Sequence, residues 1–83
     1  MPLHTLSTDE IRDLVTSSEN WLSELETRLR SGQPLIGDDG QEIALHRLWR
    51  ALFRRGRALA EHGQTELARK LYQFAENNCA EGE

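Results

Sequence analysis

The residues of this chain with the potential for chemistry are three histidines and a single cysteine. Metal binding needs such residues at ligand spacing, and nucleophilic catalysis needs a base beside the thiol. His4, His46 and His62 are not spaced as metal ligands, and none forms a recognisable nucleophile arrangement with Cys79. We therefore expect no enzyme activity, no cofactor and no metal site. For Cys79 we expect a small buried apolar role, with a redox or intermolecular disulfide role as the alternative.

The glycine-rich stretch GQPLIGDDG, residues 32–40, contains two adjacent acids. It is not a phosphate loop, because it lacks the lysine and the preceding strand, and its acids do not alternate as in a calcium loop. Asp38 is instead spaced with Gln41 as the capping box of the following helix. Asp39 with Glu42 is the alternative pair. The stretch is therefore interpreted as a loop that ends at the start of a helix.

The strongest candidates for recognition are arginines in the middle of the chain. Nine of the ten basic residues are arginine, the residue better suited to bidentate contacts with carboxylate or phosphate. Four of them share one side of a predicted helix, and we call these the arginine stripe: Arg47, Arg50, Arg54 and Arg57. Arg55 falls outside the stripe. One alternative interpretation is a solvated face, with Glu61 on the same side four residues after Arg57. Another is that the basic second helix neutralises the acidic first helix.

The charge is unevenly distributed around a net value of -4. Residues 1–42 contain nine acids and three bases, residues 43–75 contain two acids and seven bases, and residues 76–83 add three acids. No run approaches the roughly 18 apolar residues of a membrane span, and no signal peptide is recognisable. A lone cysteine fits a reducing compartment. We therefore expect a cytoplasmic protein.

Three stretches with apolar residues at helical spacing predict an all-α fold. The helices should cover about residues 8–31, 40–62 and 65–78, within a single small domain of residues 1–83. Because a very short turn separates the second and third helices, they should form an antiparallel hairpin. We expect this hairpin to pack on the first helix.

Local signals place the helix ends. Ser7 and Glu10 are spaced as a capping box at the start of the first helix, and Gly32 should end that helix. Gly63 stands where a left-handed cap should end the second. Between the first two helices, Leu35 and Ile36 interrupt the polar loop. They either cover the open end of the core or form an exposed apolar tip that a partner captures.

Large aromatic residues lie at the edges of the predicted apolar faces. Trp21 is at the edge of the first helix, whose face is otherwise interrupted only by Ser18, and Trp49 and Phe53 are at the edge of the second. Edge positions are half exposed, which suits anchors for a partner helix, and Tyr72 of the third helix joins this candidate set. Completion of the core by the tryptophans and Phe53 is the alternative, and the sequence leaves it open.

The hairpin of the second and third helices resembles a tetratricopeptide repeat over about 34 residues. The matching positions are Leu52, Gly56, Leu59, Gly63, Ala68, Tyr72 and Ala75. Leu52 replaces the family's tryptophan, Arg55 stands where the family has leucine, and Ala80 stands where a proline is usual. The resemblance implies an adaptor or chaperone-like binder. No second copy is present, so the first helix or another chain must cover the repeat.

These observations favour a protein-interaction module that binds a helical partner or itself through an apolar groove and the arginine stripe. The alternative is a nucleic-acid-binding regulatory protein that uses the arginine-rich second helix. The isoelectric point near 5.3 opposes that alternative, as does the location of the arginines before the turn rather than after it. An obligate homo-oligomer of structural purpose is a third hypothesis.

Overall fold

The computed structural model describes residues 5–79, which form three helices. They are α1 (Thr8–Ser31), α2 (Leu45–Glu61) and α3 (Thr65–Asn78). Across residues 5–79 the extended structure amounts to one isolated antiparallel bridge, between Ile36 and Glu42. The predicted all-α, three-helix fold is confirmed. In the same residues, no helix is long and apolar enough to cross a membrane.

Helix α1 begins and ends where its local signals predict. The backbone N–H of Glu10 donates to Ser7 Oγ at 3.1 Å, and the Glu10 carboxylate accepts from the Ser7 N–H at 2.8 Å, which completes the capping box. At the other end Gly32 adopts a left-handed conformation with φ 73°. Its N–H and that of Gln33 donate to carbonyls of the last turn, so the helix closes within its own sequence.

Helix α2 begins at Leu45, and the prediction of a start near residue 40 was wrong. Neither aspartate of the loop caps it, since the N-cap is Ala44 and has no side-chain hydrogen bond. Asp39 accepts from the Gln41 N–H at 3.0 Å inside a tight turn, and Asp38 is engaged by Arg55. Residues 35–43 instead fold into a small hairpin, closed by hydrogen bonds that include Ile43 N–H to Leu35 O at 3.1 Å.

The turn between α2 and α3 is a Schellman motif. Gly63 has φ 82°, its N–H donates to Ala60 O at 3.1 Å, and the Gln64 N–H donates to Leu59 O at 2.8 Å. This turn reverses the chain and lays α3 against α2, which confirms the predicted hairpin. The two helices approach closely at Gly56, where an added Cβ would overlap Cε1 of Tyr72 and lie 3.0 Å from two further ring atoms.

The core joins all three helices and the loop. Leu25 of α1, Leu52 of α2 and Leu71 of α3 are fully buried in one cluster, and Leu35 of the loop is buried with them. Leu35 therefore covers the open end of the core, which was the first of the two interpretations of the loop. Burial of this apolar surface holds the hairpin against α1. The outer sides of α2 remain exposed to solvent.

Candidate functional site

A row of three stacked aromatic rings runs from the α2–α3 interface to the surface, and we call it the aromatic row. Phe53 stacks on Tyr72 with ring centroids 4.8 Å apart, and Trp49 stacks on Phe53 at 4.3 Å. Tyr72 lies against Gly56, and the absence of a side chain there lets the ring reach α2. Phe53 and Tyr72 are half-buried, while Trp49 is 37% exposed. The row thus presents its outermost ring to solvent.

Arginines of the stripe share a shallow groove with this row, here called the outer groove. Its lining residues are Trp49, Arg50, Phe53, Arg54, Arg57, Ala58 and Glu61. The spacing of α2 explains the arrangement, because positions 49, 53 and 57 lie on one helical edge and positions 50 and 54 lie beside it. Three guanidinium groups and one carboxylate therefore border an apolar floor. Arg47, the fourth arginine of the stripe, lies outside this groove.

The arginines of the stripe have no ion-pair partner among residues 5–79. The ion pairs there are Arg12 with Asp9, Arg28 with Glu24, Arg55 with Asp38, and Arg69 with Glu66. None of them joins an acid of α1 to the stripe. Neutralisation of the stripe by direct contact with the acidic first helix, the alternative considered above, is thus absent from the described part of the chain.

Trp21 does not belong to this surface. The sequence left open whether Trp21 is a half-exposed anchor or completes the core; its side chain is only 6% exposed and is part of the core. Its indole N–H donates to the carbonyl of Ile36 at 3.0 Å, so the loop covers the edge of α1 that the sequence pattern left open. The two tryptophans therefore differ in environment, and only Trp49 can serve as an exposed anchor.

Arg55 is the arginine whose role the sequence reasoning missed. Its guanidinium donates to Ser18 Oγ at 3.0 Å, to Ser17 Oγ at 3.3 Å and to Asp38 Oδ2 at 3.0 Å. It also lies 5.6 Å from the centroid of the Trp21 ring, within cation–π range. Its side chain is only 18% exposed. We call these contacts the Arg55 cluster. They connect α2 to α1 and to the loop.

A signal for the Arg55 cluster was present in the sequence. Ser18 is the one polar residue that interrupts the apolar face of α1, and Arg55 falls outside the stripe of α2. In the structure these two residues contact each other, because the Arg55 guanidinium donates to Ser18 Oγ. Ser18 is fully buried, and its hydroxyl also donates to Leu14 O at 2.6 Å. In residues 5–79 no buried side-chain nitrogen or oxygen lacks a hydrogen-bond partner.

The histidines and the cysteine are dispersed over the fold. His46 is exposed, and His62 is half-buried with its Nδ1 2.8 Å from Ala58 O. Cys79 is buried beyond the end of α3. His4 lies outside the described residues. Within them, no group of three histidine, cysteine or acidic side chains is placed to hold a metal ion.

Comparisons with known proteins add no relative to this picture. No protein-family model matches the chain, and the searches of curated proteins and of solved structures likewise gave no match. The inference of function therefore depends on the groove and its charges.

Proposed function

We propose that this chain is a small non-enzymatic protein-interaction module that binds a helical partner through the outer groove. The single observation that carries the proposal is the aromatic row lying beside arginines that have no ion-pair partner among residues 5–79. Tryptophan, tyrosine and arginine are the residues most often found to dominate the energy of protein interfaces. Here the tryptophan and three arginines of α2 line one groove, and Tyr72 of α3 supports its aromatic floor through the stack on Phe53.

Rigidity of the anchors supports this role. Trp49 is held by its stack on Phe53, Phe53 by its stack on Tyr72, and Tyr72 by Gly56. Each ring is therefore positioned before a partner arrives. Anchors that are already ordered lose little side-chain entropy on binding, so more of the burial energy contributes to affinity.

The resemblance of the hairpin to a tetratricopeptide repeat agrees with an adaptor or chaperone-like role. The residues at the small and large positions of that pattern include Gly56 and Tyr72, which meet at the α2–α3 contact, and Ala68, which is buried. Helix α1 covers one side of the hairpin, as a single repeat requires. On this proposal the partner covers part of the other side.

We also propose that the chain is not an enzyme and that it is located in the cytoplasm. The basis for the first is that the sequence contains no recognisable nucleophile motif, and that residues 5–79 contain no group of three histidine, cysteine or acidic side chains placed to hold a metal ion. The basis for the second is the use of a single cysteine, which suits a reducing compartment.

Affinity capture with matched variants tests the proposed function. The bait is the full chain, compared with Trp49→Ala and with a control that reverses two exposed charges on α3, Arg69→Glu with Lys70→Glu. We expect a protein that is retained by the wild type and by the control and is lost with Trp49→Ala. The purified partner should then bind the wild type in calorimetry with one-to-one stoichiometry.

A different result would favour the nucleic-acid alternative. The proposal fails if light scattering shows a strict monomer, no protein is retained, and the chain binds a nucleic-acid column with an affinity that falls steeply with salt. Equal retention by wild type and Trp49→Ala would also contradict it, because the partner would then bind elsewhere on the molecule.

A further inference from the structure

We propose that the occupant of the outer groove is a short acidic amphipathic helix of another protein, lying along α2. This inference rests on the proposed function and specifies the chemistry of the partner. Three observations carry it. They are the line of exposed and half-exposed apolar residues on α2, the arginines beside it that have no ion-pair partner among residues 5–79, and the close stacking of the rings.

The apolar line matches the repeat of a helix. Leu45, Trp49 and Phe53 follow one another at intervals of four residues, and Leu45 and Trp49 are 42% and 37% exposed. At about 1.5 Å per residue the line extends about 12 Å along α2, close to two turns of a partner helix. A partner with apolar residues at positions one, four or five, and eight can cover this line with a single face.

Other peptide conformations fit the surface less well. An extended peptide needs the exposed edge of a sheet, and residues 5–79 contain only the isolated bridge between Ile36 and Glu42. A proline-rich peptide inserts its rings into slots between aromatic side chains. The ring centroids of Trp49, Phe53 and Tyr72 are 4.3 and 4.8 Å apart, so the rings touch and leave no slot.

The arginines determine the charge of the partner. Arg50, Arg54 and Arg57 line the outer groove with Glu61 as its acid, which leaves an excess of positive charge beside the apolar floor. None of the three arginines has an ion-pair partner among residues 5–79. Carboxylates at the flanks of the partner's apolar face would pair with them, and arginine is the side chain best suited to such pairs.

The same charges argue against a second copy of this chain as the occupant. A two-fold dimer through the outer groove would bring the three arginines of one copy against the same arginine-rich patch of the other, because such an interface uses the same patch on both subunits. Like charges directly opposed at an interface cost several kcal/mol. The groove is therefore built for a partner of the opposite charge, which separates this inference from the homo-oligomer hypothesis.

A displayed library of helical peptides tests the inference with a defined probe. Each 12-residue peptide has leucine at positions one, five and eight, and an equal mixture of glutamate and lysine at the polar positions. Selections are made on the wild-type chain, on the triple variant Arg50→Glu, Arg54→Glu, Arg57→Glu, on Trp49→Ala, and on the α3 control Arg69→Glu with Lys70→Glu. Circular dichroism confirms that each bait keeps its helicity.

The expected result is enrichment of glutamate on the wild type and on the α3 control. At positions that face an arginine we expect about a threefold preference, the effect of one exposed ion pair. The triple variant should reverse the preference toward lysine, because the groove then carries negative charge.

The other outcomes separate the inference from the proposed function. Enrichment that requires Trp49 but shows no charge preference overturns the acidic partner and leaves the protein-interaction module intact. No enrichment on any bait, together with arginine-dependent binding of a 12-nucleotide single-stranded RNA, overturns both. A dimer of the wild type in light scattering that the triple variant abolishes would overturn the inference in favour of self-association.

Discussion

The two sides of α2 each place an arginine near a tryptophan, and the two pairs have different environments. On the side facing α1, Arg55 lies over Trp21 and both are enclosed by hydrogen bonds to the serines of α1 and to the loop. On the opposite side, Trp49 and Arg50 share the outer groove and remain open to solvent. The residue types are the same, but among residues 5–79 only the arginine of the first pair has an ion-pair partner.

This difference distinguishes a structural role from a binding role. A partly buried arginine stabilises a fold only when its donors are satisfied, and Arg55 donates to Ser17, Ser18 and Asp38. An exposed arginine without a partner adds little to stability but retains its full capacity to pair with another molecule. Substitutions on the side of the Arg55 cluster should therefore change stability, whereas those in the outer groove should change binding.

The pair of tryptophans should show the largest difference. Replacement of Trp21 by alanine removes a buried ring and its hydrogen bond to Ile36, with an expected loss of about 3 to 5 kcal/mol in the free energy of unfolding. Trp49→Ala removes one exposed stacking contact and should cost only about 1 kcal/mol. Urea unfolding followed by circular dichroism measures both. Equal losses in the two variants would contradict the comparison.

The pair of arginines should show the next largest difference. Arg55→Ala removes three hydrogen bonds and leaves the cluster open, so we expect a loss of about 1.5 to 3 kcal/mol in the free energy of unfolding. The neighbouring Arg54→Ala should change it by no more than about 0.5 kcal/mol, as is usual for exposed positions. A clear loss of stability in Arg54→Ala would mean that the arginine stripe stabilises the fold.

Local and long-range contacts explain which parts of the fold could be predicted from the sequence. The ends of α1 and the end of α2 were predicted correctly, because Ser7, Gly32 and Gly63 act on residues within one turn. The start of α2 was not predicted correctly, because Asp38 pairs with Arg55, 17 residues later in the chain, and does not cap the helix. A capping pattern alone does not show such competition.

The candidate site was predictable to a similar degree. The stripe and the aromatic edge of α2 follow from helical spacing. Trp21 and Trp49 occupy equivalent edge positions in sequence, and the loop that covers Trp21 through Ile36 decides between them. The Arg55 cluster joins Arg55 to Ser17 and Ser18, which are 38 and 37 positions earlier in the chain. Ser18 and Arg55 are irregular positions in the sequence pattern, but only the folded chain shows that they meet.

The base of the aromatic row can be tested by a double-mutant cycle. Gly56→Ala places a Cβ where the Tyr72 ring lies, so it should destabilise the wild type despite the better helix propensity of alanine. In a Tyr72→Ala background the overlap is gone, and the same substitution should stabilise the protein by about 1 kcal/mol. The coupling between the two sites should be about 1 to 3 kcal/mol. Additive effects would show that Tyr72 does not depend on Gly56.

The serines of α1 should give the smallest effect. Ser18→Ala removes a buried acceptor for Arg55 and should cost about 1 kcal/mol in the free energy of unfolding. Ser17→Ala, whose hydroxyl is exposed and 3.3 Å from the same guanidinium, should cost no more than about 0.5 kcal/mol. Chemical unfolding at matched protein concentration is sufficient to separate them. The reverse order would show that Arg55 is held mainly from its solvent side.

Reversing the charge of Arg50, Arg54 and Arg57 together, and measuring stability and binding in the same preparation, tests whether the arginine stripe binds a partner or supports the fold. We expect unchanged helicity, a free energy of unfolding within about 1 kcal/mol of the wild type, and loss of binding to the acidic helical peptide or captured partner. A collapse of helicity with binding retained by the folded fraction would contradict the account, because the stripe would then stabilise the fold instead of binding a partner.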